Sequence, residues 1–300
     1  MLFSVVVPVY QAENFIKKAM DSVINQTFKD YELILVDNGA TDNSYKIISD
    51  YIDKHPDYDI KCIRLEQNQG ISGGRNAGIQ SAKGEYISLL DADDIWMSNK
   101  LEKTAEAIKN NPSADVLWHY EMREDGNKKT VSKFREVNNS DAFVDLLTNG
   151  NCLSPTTVSV RTGLLRDAGG FDTKLDKGQE DYDCWLRLAR NGAKFYLIKE
   201  PLSSWIVRGD SLSAKHEQHY QAVIEMLKSH YYELEEMGIS KSTVEKMWKK
   251  RESQMYCFLG RELSLMGDTS NARKYYCKSI AIHPATYKSY AGIVMSYLHI

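Results

Sequence analysis

Residues 86–94 read YISLLDADD, an apolar run followed by three carboxylates within four positions. The apolar part, from Tyr86 to Leu90, has the length and composition of a buried strand. Asp91 and Asp93 are two positions apart, so in extended geometry both side chains point to the same side. Carboxylates about 4 Å apart repel by roughly 4 kcal/mol at an effective dielectric of about 20, and Mg²⁺ or Mn²⁺ between them would relieve that repulsion. The alternative is a solvated turn in which the Asp residues only cap.

Predicted strands and helices alternate up to this stretch. Apolar, β-branched runs predict strands at 4–10, 32–37 and 60–65, and helical patterns predict helices at 13–25, 44–51 and 70–81. Such alternation predicts a parallel, doubly wound α/β sheet whose ligand site lies beyond the carboxyl ends of its strands. Asp37 ends the second strand, so we expect Asp37 and Asp91 to line one crevice.

The rest of the chain keeps this mixed pattern and then becomes helical. Its predicted elements are helices at 98–110, 141–147 and 180–191, strands at 114–120, 156–160 and 195–198, a hairpin turn at Asp125-Gly126 and a strand and turn at 205–211. From about Ala214 the pattern is mainly helical. Residues 267–284 resemble part of a tetratricopeptide unit, but fewer than three repeats are present, so we expect this tail to pack on the main domain.

Glu180 and Asp181 stand at the start of the predicted helix that ends near Asn191. Acidic residues in this position commonly cap the helix and complement its dipole. A carboxylate held at a helix start beside a crevice also suits a general base. The spacing alone favours the cap, and both roles stay open at this point.

The glycines at 70, 73, 74 and 78 begin another predicted helix, and Arg75 lies among them. Their spacing fits neither the dinucleotide-binding nor the P-loop motif. Glycines at a helix start let backbone amides approach an anion, and Arg75 would add positive charge there. The alternative is an ordinary surface arginine.

The composition excludes several classes of protein. A net charge of −3 without a Lys/Arg block argues against a nucleic-acid partner. Five scattered cysteines without C-x-x-C spacing argue against a disulfide framework or a zinc site. The apolar N-terminus lacks a basic segment, and no run of about 18 apolar residues occurs. We therefore expect a cytoplasmic location. Peripheral contact with the inner face of the membrane stays open, and nothing indicates the oligomeric state.

Six short motifs occur in an order that is typical of one enzyme family. They are Val7-Pro8-Val9-Tyr10, Asp37-Asn38-Gly39-Ala40-Thr41-Asp42, Gly74-Arg75-Asn76-Ala77-Gly78, Leu90-Asp91-Ala92-Asp93-Asp94, Gly169-Gly170-Phe171-Asp172 and Glu180-Asp181-Tyr182-Asp183. On these motifs, residues 4 to about 213 resemble the inverting family-2 glycosyltransferases, which have the GT-A fold. Each motif is weak singly, but all six in order are a strong signal.

The resemblance implies where the nucleotide and the metal bind. The nucleotide would be held by Pro8, Tyr10, Asp37, Asn38, Arg75, Asp91 and Ala92. Asp91-Ala92-Asp93 looks like the D-x-D motif, so Asp93, with Asp91 beside it, would bind Mn²⁺ or Mg²⁺ on the donor diphosphate.

The resemblance also implies the catalytic base and the acceptor side. Glu180 and Asp181 look like the source of the base, and we choose Asp181. Residues assigned to the acceptor or phosphate side are Asp94, Trp185 and Arg208.

Two positions depart from the family pattern. Asn38 replaces an aspartate that usually accepts a hydrogen bond from the nucleotide base, so a uridine donor is favoured less strictly. Arg208 occupies a position that is often histidine. An arginine cannot ligate a metal as histidine does, but it can pair with a phosphate.

We therefore expect a metal-dependent inverting glycosyltransferase that moves a sugar from a UDP-sugar to a hydroxyl of a glycan or lipid-linked glycan in cell-surface polysaccharide synthesis. Residues 1–213 would form the GT-A domain, with 1–97 binding the nucleotide sugar and 98–213 the acceptor, and 214–300 would form a helical extension. Two other hypotheses stay open. A sugar nucleotidyltransferase would need no carboxylate base, and a non-catalytic scaffold would use the helical tail to bind a partner.

Overall fold

The computed structural model describes residues 1–126, 128–175, 177–206 and 216–298. These residues divide into two compact units. The first unit contains the described residues of 1–146, 151–175 and 180–206, and the second contains 147–150, 177–179 and 216–298. The domain boundary that the sequence predicts, between residues 213 and 214, falls outside the described residues.

Nine strands form one sheet within the described part of the first unit. They are β1 (Phe3–Val9), β2 (Tyr31–Asn38), β3 (Ile60–Leu65), β4 (Tyr86–Leu89), β5 (Ile95–Trp96), β6 (Val116–Asp125), β7 (Lys128–Ser132), β8 (Ser159–Arg161) and β9 (Phe195–Ile206). Their order is β3-β2-β1-β4-β8-β6-β9-β5, and β7 pairs with β6. The first four strands are parallel neighbours, whereas β8 runs antiparallel to both β4 and β6. The predicted α/β class with a mostly parallel first half is confirmed.

Helices connect these strands and cover the sheet. They are α1 (Ile16–Ile24), α2 (Ser44–Lys54), α3 (Gly70–Ser81), α4 (Lys100–Asn110), α5 (Ala142–Asn149), α6 (Thr162–Asp167) and α7 (Glu180–Arg190). Every residue of β1 and β2 is buried, as expected for parallel strands that are covered on both faces. That burial explains the continuous apolar runs of the sequence, which do not alternate with polar residues.

Gly78 allows α3 to approach the sheet closely. A Cβ atom built on Gly78 would lie 2.3 Å from Cγ1 of Val6 and 3.3 Å from Cγ2 of Val36. The first distance is far inside van der Waals contact, so any side chain here would push α3 away from β1. Since α3 carries Arg75, this packing also fixes the height of the arginine above the sheet.

Gly78→Ala is expected to lower the free energy of unfolding by about 1–3 kcal/mol, because overpacking a closed core displaces its neighbours. Gly163→Ala is the matched control. Gly163 lies in α6, and a Cβ atom there would meet nothing within 4 Å. The control is expected to be neutral or slightly stabilising, as alanine is favoured over glycine in helices. Denaturant midpoints of the two variants test this, and equal midpoints would contradict the close packing.

Three local predictions need correction. Residues 156–160 are not one strand: a 3₁₀ turn at Pro155–Thr157 precedes the short β8. The strands predicted at 195–198 and 205–211 belong, in their described part, to the single strand β9. The register shifts where Pro201 lies opposite Tyr120, because proline cannot donate to the sheet ladder. The hairpin predicted at Asp125-Gly126 is confirmed between β6 and β7.

The second unit is helical. Its helices are α8 (His216–Glu236), α9 (Lys241–Leu265), α10 (Thr269–Ile282) and α11 (Tyr287–Leu298). Ser240 and Asp268 cap α9 and α10, each accepting a hydrogen bond from the backbone N–H three residues later. The four helices differ widely in length, and the likeness to tetratricopeptide repeats is not confirmed. None of the described helices is both long enough and apolar enough to cross a bilayer.

Candidate active site

The carboxyl ends of β1, β2 and β4 gather three of the predicted motifs at one edge of the sheet. Because these strands are parallel neighbours, their ends place Tyr10, Asp37 and Asp91 along the same edge. Pro8 is buried within β1, whereas Tyr10, just beyond the strand, is exposed. An exposed aromatic ring beside an acidic strand end is a suitable surface for a flat, polar ligand.

Asp37 and Asn38 are both buried at the end of β2. Asp37 Oδ1 accepts a hydrogen bond from the Ala40 N–H, and its Oδ2 lies 3.3 Å from Nε of Arg64. Asn38 Nδ2 donates to the Gly70 carbonyl at 2.8 Å, while its Oδ1 accepts from the Gln69 N–H at 3.0 Å. An aspartate could not make the first of these bonds. Asn38, which departs from the family pattern, therefore holds the loop that leads into α3 through these two hydrogen bonds.

The three acids after β4 occupy three different environments. Asp91 and Asp93 are partly exposed, whereas Asp94 is 5% exposed. Thr156 connects two of them: its Oγ1 donates to Asp94 and accepts from the Asp91 N–H at 3.2 Å. Burial, with the charges of Asp91 and Asp93, raises the pKa of Asp94 well above its usual value. Through Thr156, Asp94 therefore holds the turn in shape.

Arg75 joins the D-x-D stretch to the start of α7. Its Nη2 donates to Asp91 Oδ1 at 2.9 Å, and its Nη1 donates to Glu180 Oε1 at 2.9 Å. The guanidinium is 2% exposed and lies 5.1 Å from the ring centre of Phe171. Burial acts to lower the pKa of Arg75, but the charges of Asp91 and Glu180 outweigh it and hold that pKa above its usual range. The arginine is thus a permanent cation between two acidic motifs.

The remaining motifs hold Arg75 in place. Asn76 donates through Nδ2 to the Phe171 carbonyl at 2.7 Å and accepts through Oδ1 from the Phe171 N–H at 2.8 Å. Gly170 has a φ of +67°, and a Cβ atom there would lie 2.5 Å from Asn76 Oδ1. Arg187 of α7 donates to the Gly170 carbonyl and to Asp183. Side-chain hydrogen bonds of Asn76 and Arg187 therefore connect three motifs that are far apart in sequence.

Glu180 and Asp181 differ in what surrounds them. Glu180 is 5% exposed and paired with Arg75, whereas Asp181 is partly exposed. The Asp181 carboxylate accepts hydrogen bonds from the backbone N–H of Tyr182 and, at 3.4 Å, from Nδ2 of Asn151. Although the residue as a whole is partly exposed, desolvation of its carboxyl group, and secondly the charge of Glu180, raises the pKa of Asp181 to about 7. Asp181 can therefore gain and lose a proton near neutral pH.

The carboxylates fit a divalent metal only if the substrate supplies further ligands. Within the described residues, no three His, Cys, Asp or Glu side chains are arranged to hold a metal. A metal on a substrate diphosphate needs only one or two protein carboxylates, with phosphate and water oxygens completing the shell. Asp91 and Asp93, both partly exposed at the sheet edge, supply that donor set.

Comparison with known proteins decides the family. The family described as Glycosyl transferase family 2 matches residues 4–168, more than half of the chain. The chain belongs to glycosyl transferase family 2. A glycosyltransferase of Methanocaldococcus jannaschii of unknown specificity is 36% identical over 208 residues, which are 66% of this chain and 68% of the relative.

Two further relatives of the present chain have names that are more specific. TuaG of Bacillus subtilis, named for teichuronic acid biosynthesis, is 30% identical over 216 residues, 71% of this chain and 82% of TuaG. The Escherichia coli β-1,3-glucosyltransferase WfgD is 31% identical over 190 residues, 63% of this chain and 70% of WfgD.

Solved structures show that the fold is shared over nearly the whole chain. S. aureus TarS in complex with UDP superposes with a TM-score of 0.68 at 22% identity, covering 99% of this chain and 90% of that chain. The Pyrobaculum calidifontis mannosyltransferase PcManGT, with GDP-Man and Mn²⁺, gives a TM-score of 0.63 at 15% identity, covering 99% and 86%. At these identities the likeness establishes the GT-A fold alone.

Of the three residues predicted on the acceptor side, two are buried. Trp185 is fully buried, with its ring 6.0 Å from that of Phe171, so it packs in the core of this glycosyltransferase and no acceptor can reach it. Asp94 is likewise buried and acts on the turn, as described above. Arg208 lies outside the described residues.

Three residues of the site were missed in the sequence. Thr156 and Asn151, which bond to the acids at Asp94 and Asp181, come from stretches with no acidic or glycine signature. Glu121 on β6 is buried, and burial followed by the charge of Asp91 raises its pKa to about 7. A signal for Glu121 existed, since it directly follows the apolar part of the predicted strand.

Proposed function

We propose that this glycosyltransferase moves a sugar from a UDP-sugar to a hydroxyl group of a glycan or lipid-linked glycan, with inversion at the anomeric carbon, in the synthesis of a cell-surface polysaccharide. The observation that carries the proposal is the Arg75 bridge. It joins the D-x-D carboxylate Asp91 to Glu180, the neighbour of Asp181, and this link supports Asp181, an acid with a pKa of about 7, as the base.

The names of two relatives support the choice of substrates. WfgD is named for UDP-Glc as donor and α-D-GlcNAc-diphosphoundecaprenol as acceptor, and TuaG for teichuronic acid biosynthesis. The edge of the sheet also suits a nucleotide, since Tyr10 offers an exposed ring beside Asp37.

In the proposed mechanism, Asp181 accepts the proton of the acceptor hydroxyl as its oxygen attacks the anomeric carbon in line with the leaving diphosphate. Attack from the side opposite the leaving group inverts the configuration. Glu180 and Arg75 keep the start of α7 fixed, so Asp181 needs little rearrangement. Asp93, with Asp91, would hold Mn²⁺ or Mg²⁺, and the ion would supply positive charge to stabilise the departing diphosphate.

The donor and the metal are tested by thermal stabilisation. In the presence of Mn²⁺, a saturating concentration of UDP is expected to raise Tm by about 5 °C. Chelating the Mn²⁺ with EDTA should abolish this rise in Tm. Asp93→Ala should lose it as well, because the phosphates then lack their metal. Asp167→Ala, an exposed acid in α6, is the matched control and should respond like the wild type. An equal rise with GDP, or a rise that survives in Asp93→Ala, would contradict the proposal.

A further inference from the structure

The helical unit contains a cavity of about 370 Å³ that the glycosyltransferase chemistry does not use. One wall is a face of α9, from which Lys250, Arg251 and Phe258 contribute side chains. His283, from the turn after α10, and Tyr287 and Lys288, from the start of α11, also line it. Thr148 and Asn149, which belong to the same unit, complete the lining.

The cavity is strongly basic. Lys250, Arg251 and Lys288 are cations at neutral pH, and none of the described residues that line the cavity carries a carboxylate. The whole chain has a net charge of −3, so this concentration of positive charge is local and does not reflect the composition. A concave site with one sign of charge raises the local concentration of a ligand of opposite charge.

Arg251 shows that the positive charge is directed inward. Its side chain is 5% exposed, and its Nε has no hydrogen-bond partner in the part of the chain that the structure describes. Burying a guanidinium whose donors are not all satisfied costs free energy, and an anion in the cavity would recover it. Surface arginines that merely cover a helix keep their head groups in water instead.

The backbone at Gly150 lies close to the guanidinium of Arg251. Its φ is +91°, a conformation that favours glycine, and a Cβ atom there would lie 2.8 Å from Nη2 of Arg251. The backbone therefore approaches the guanidinium more closely than any other residue would allow. Close approach of this kind holds the head group in one position, as a binding site requires.

We propose that this cavity binds a phosphate- or diphosphate-bearing ligand. Arg251 offers a fixed fork for phosphate oxygens, and the exposed ammonium groups of Lys250 and Lys288 add mobile charge at the rim. The exposed rings of Phe258 and Tyr287 provide apolar surface for a sugar or another group attached to the phosphate. Soluble sugar phosphates and lipid head groups both carry a phosphate attached to such a group.

Calorimetry on the full chain tests the site, with inorganic pyrophosphate and glucose 1-phosphate as probes. EDTA is included so that metal-dependent binding at the D-x-D acids makes no contribution. The pocket variant is Lys250→Gln/Lys288→Gln; both substituted residues are exposed, so we expect the variant to fold like the wild type. The matched control is Lys241→Gln/Lys246→Gln, which removes the same charge from exposed positions of α9 outside the cavity.

The pocket variant is expected to raise the Kd of pyrophosphate by at least about tenfold, while the control leaves it unchanged. Arg251→Met should abolish binding, with circular dichroism used to establish that it folds. Co-sedimentation with phosphatidylglycerol and phosphatidylcholine vesicles identifies the source. Loss of phosphatidylglycerol-dependent binding in the pocket variant alone indicates a lipid head group, and pyrophosphate binding without vesicle binding indicates a soluble ligand. Equal weakening in both lysine variants, or no saturable binding of either probe, would overturn the proposal.

Discussion

Asp181→Asn is expected to lower kcat for sugar transfer by about 10³-fold, while the Kd of UDP in Mn²⁺ stays within a factor of two of the wild-type value, roughly the range that loss of a general base predicts. The substitution keeps the size of the side chain and its contacts with Asn151, but it removes the group that accepts the hydroxyl proton. Single-turnover transfer from a UDP-sugar measures the chemical step directly. A variant that keeps wild-type kcat in this assay would show that Asp181 is not the base.

The pH dependence distinguishes Asp181 from its neighbour. Because the pKa of Asp181 is raised to about 7, wild-type kcat/KM is expected to increase about tenfold per pH unit below that value and to level off above it. Glu180→Gln removes one of the charges that raise this pKa, so the rise should move to lower pH. If Glu180 were the base, the pH-dependent limb would disappear in Glu180→Gln and persist in Asp181→Asn.

The sequence predicts the edge of the sheet well because that prediction needs only short-range patterns. Apolar runs identify the strands, and their alternation with helices requires parallel neighbours. Once β1, β2 and β4 are parallel, Asp37 and Asp91 must fall at the same edge. No knowledge of side-chain packing enters this step, and the motif order then identifies the family.

The sequence does not predict the partners of Arg75, because they depend on long-range packing. Asp91 is 16 positions away and Glu180 is 105 positions away. The burial of Trp185 likewise depends on long-range packing that the sequence does not predict. Trp185 lies in the helix predicted at 180–191, but which face of α7 enters the core depends on the residues packed against it, including Phe171. Patterns within one element identify a buried face more reliably than they assign single side chains to a site.

Arg75→Met is expected to lower the free energy of unfolding by about 3–5 kcal/mol, because it leaves a buried carboxylate without its counter-charge. Glu180 is 5% exposed, and its Oε1 accepts from Arg75, while its Oε2 has no partner in the described part of the chain. Arg75→Lys keeps the charge but cannot reach both acids with a planar fork, so an intermediate loss is expected. Denaturant unfolding at pH 7 measures all three proteins.

The double variant Arg75→Met/Glu180→Gln separates this structural role from the nucleotide contact that the sequence suggested for Arg75. In the double variant only Asp91, which is partly exposed, still lacks the arginine, so this variant should regain about half or more of the stability lost in Arg75→Met. If Arg75 served only the nucleotide, Arg75→Met would weaken UDP binding without lowering the denaturant midpoint at any pH.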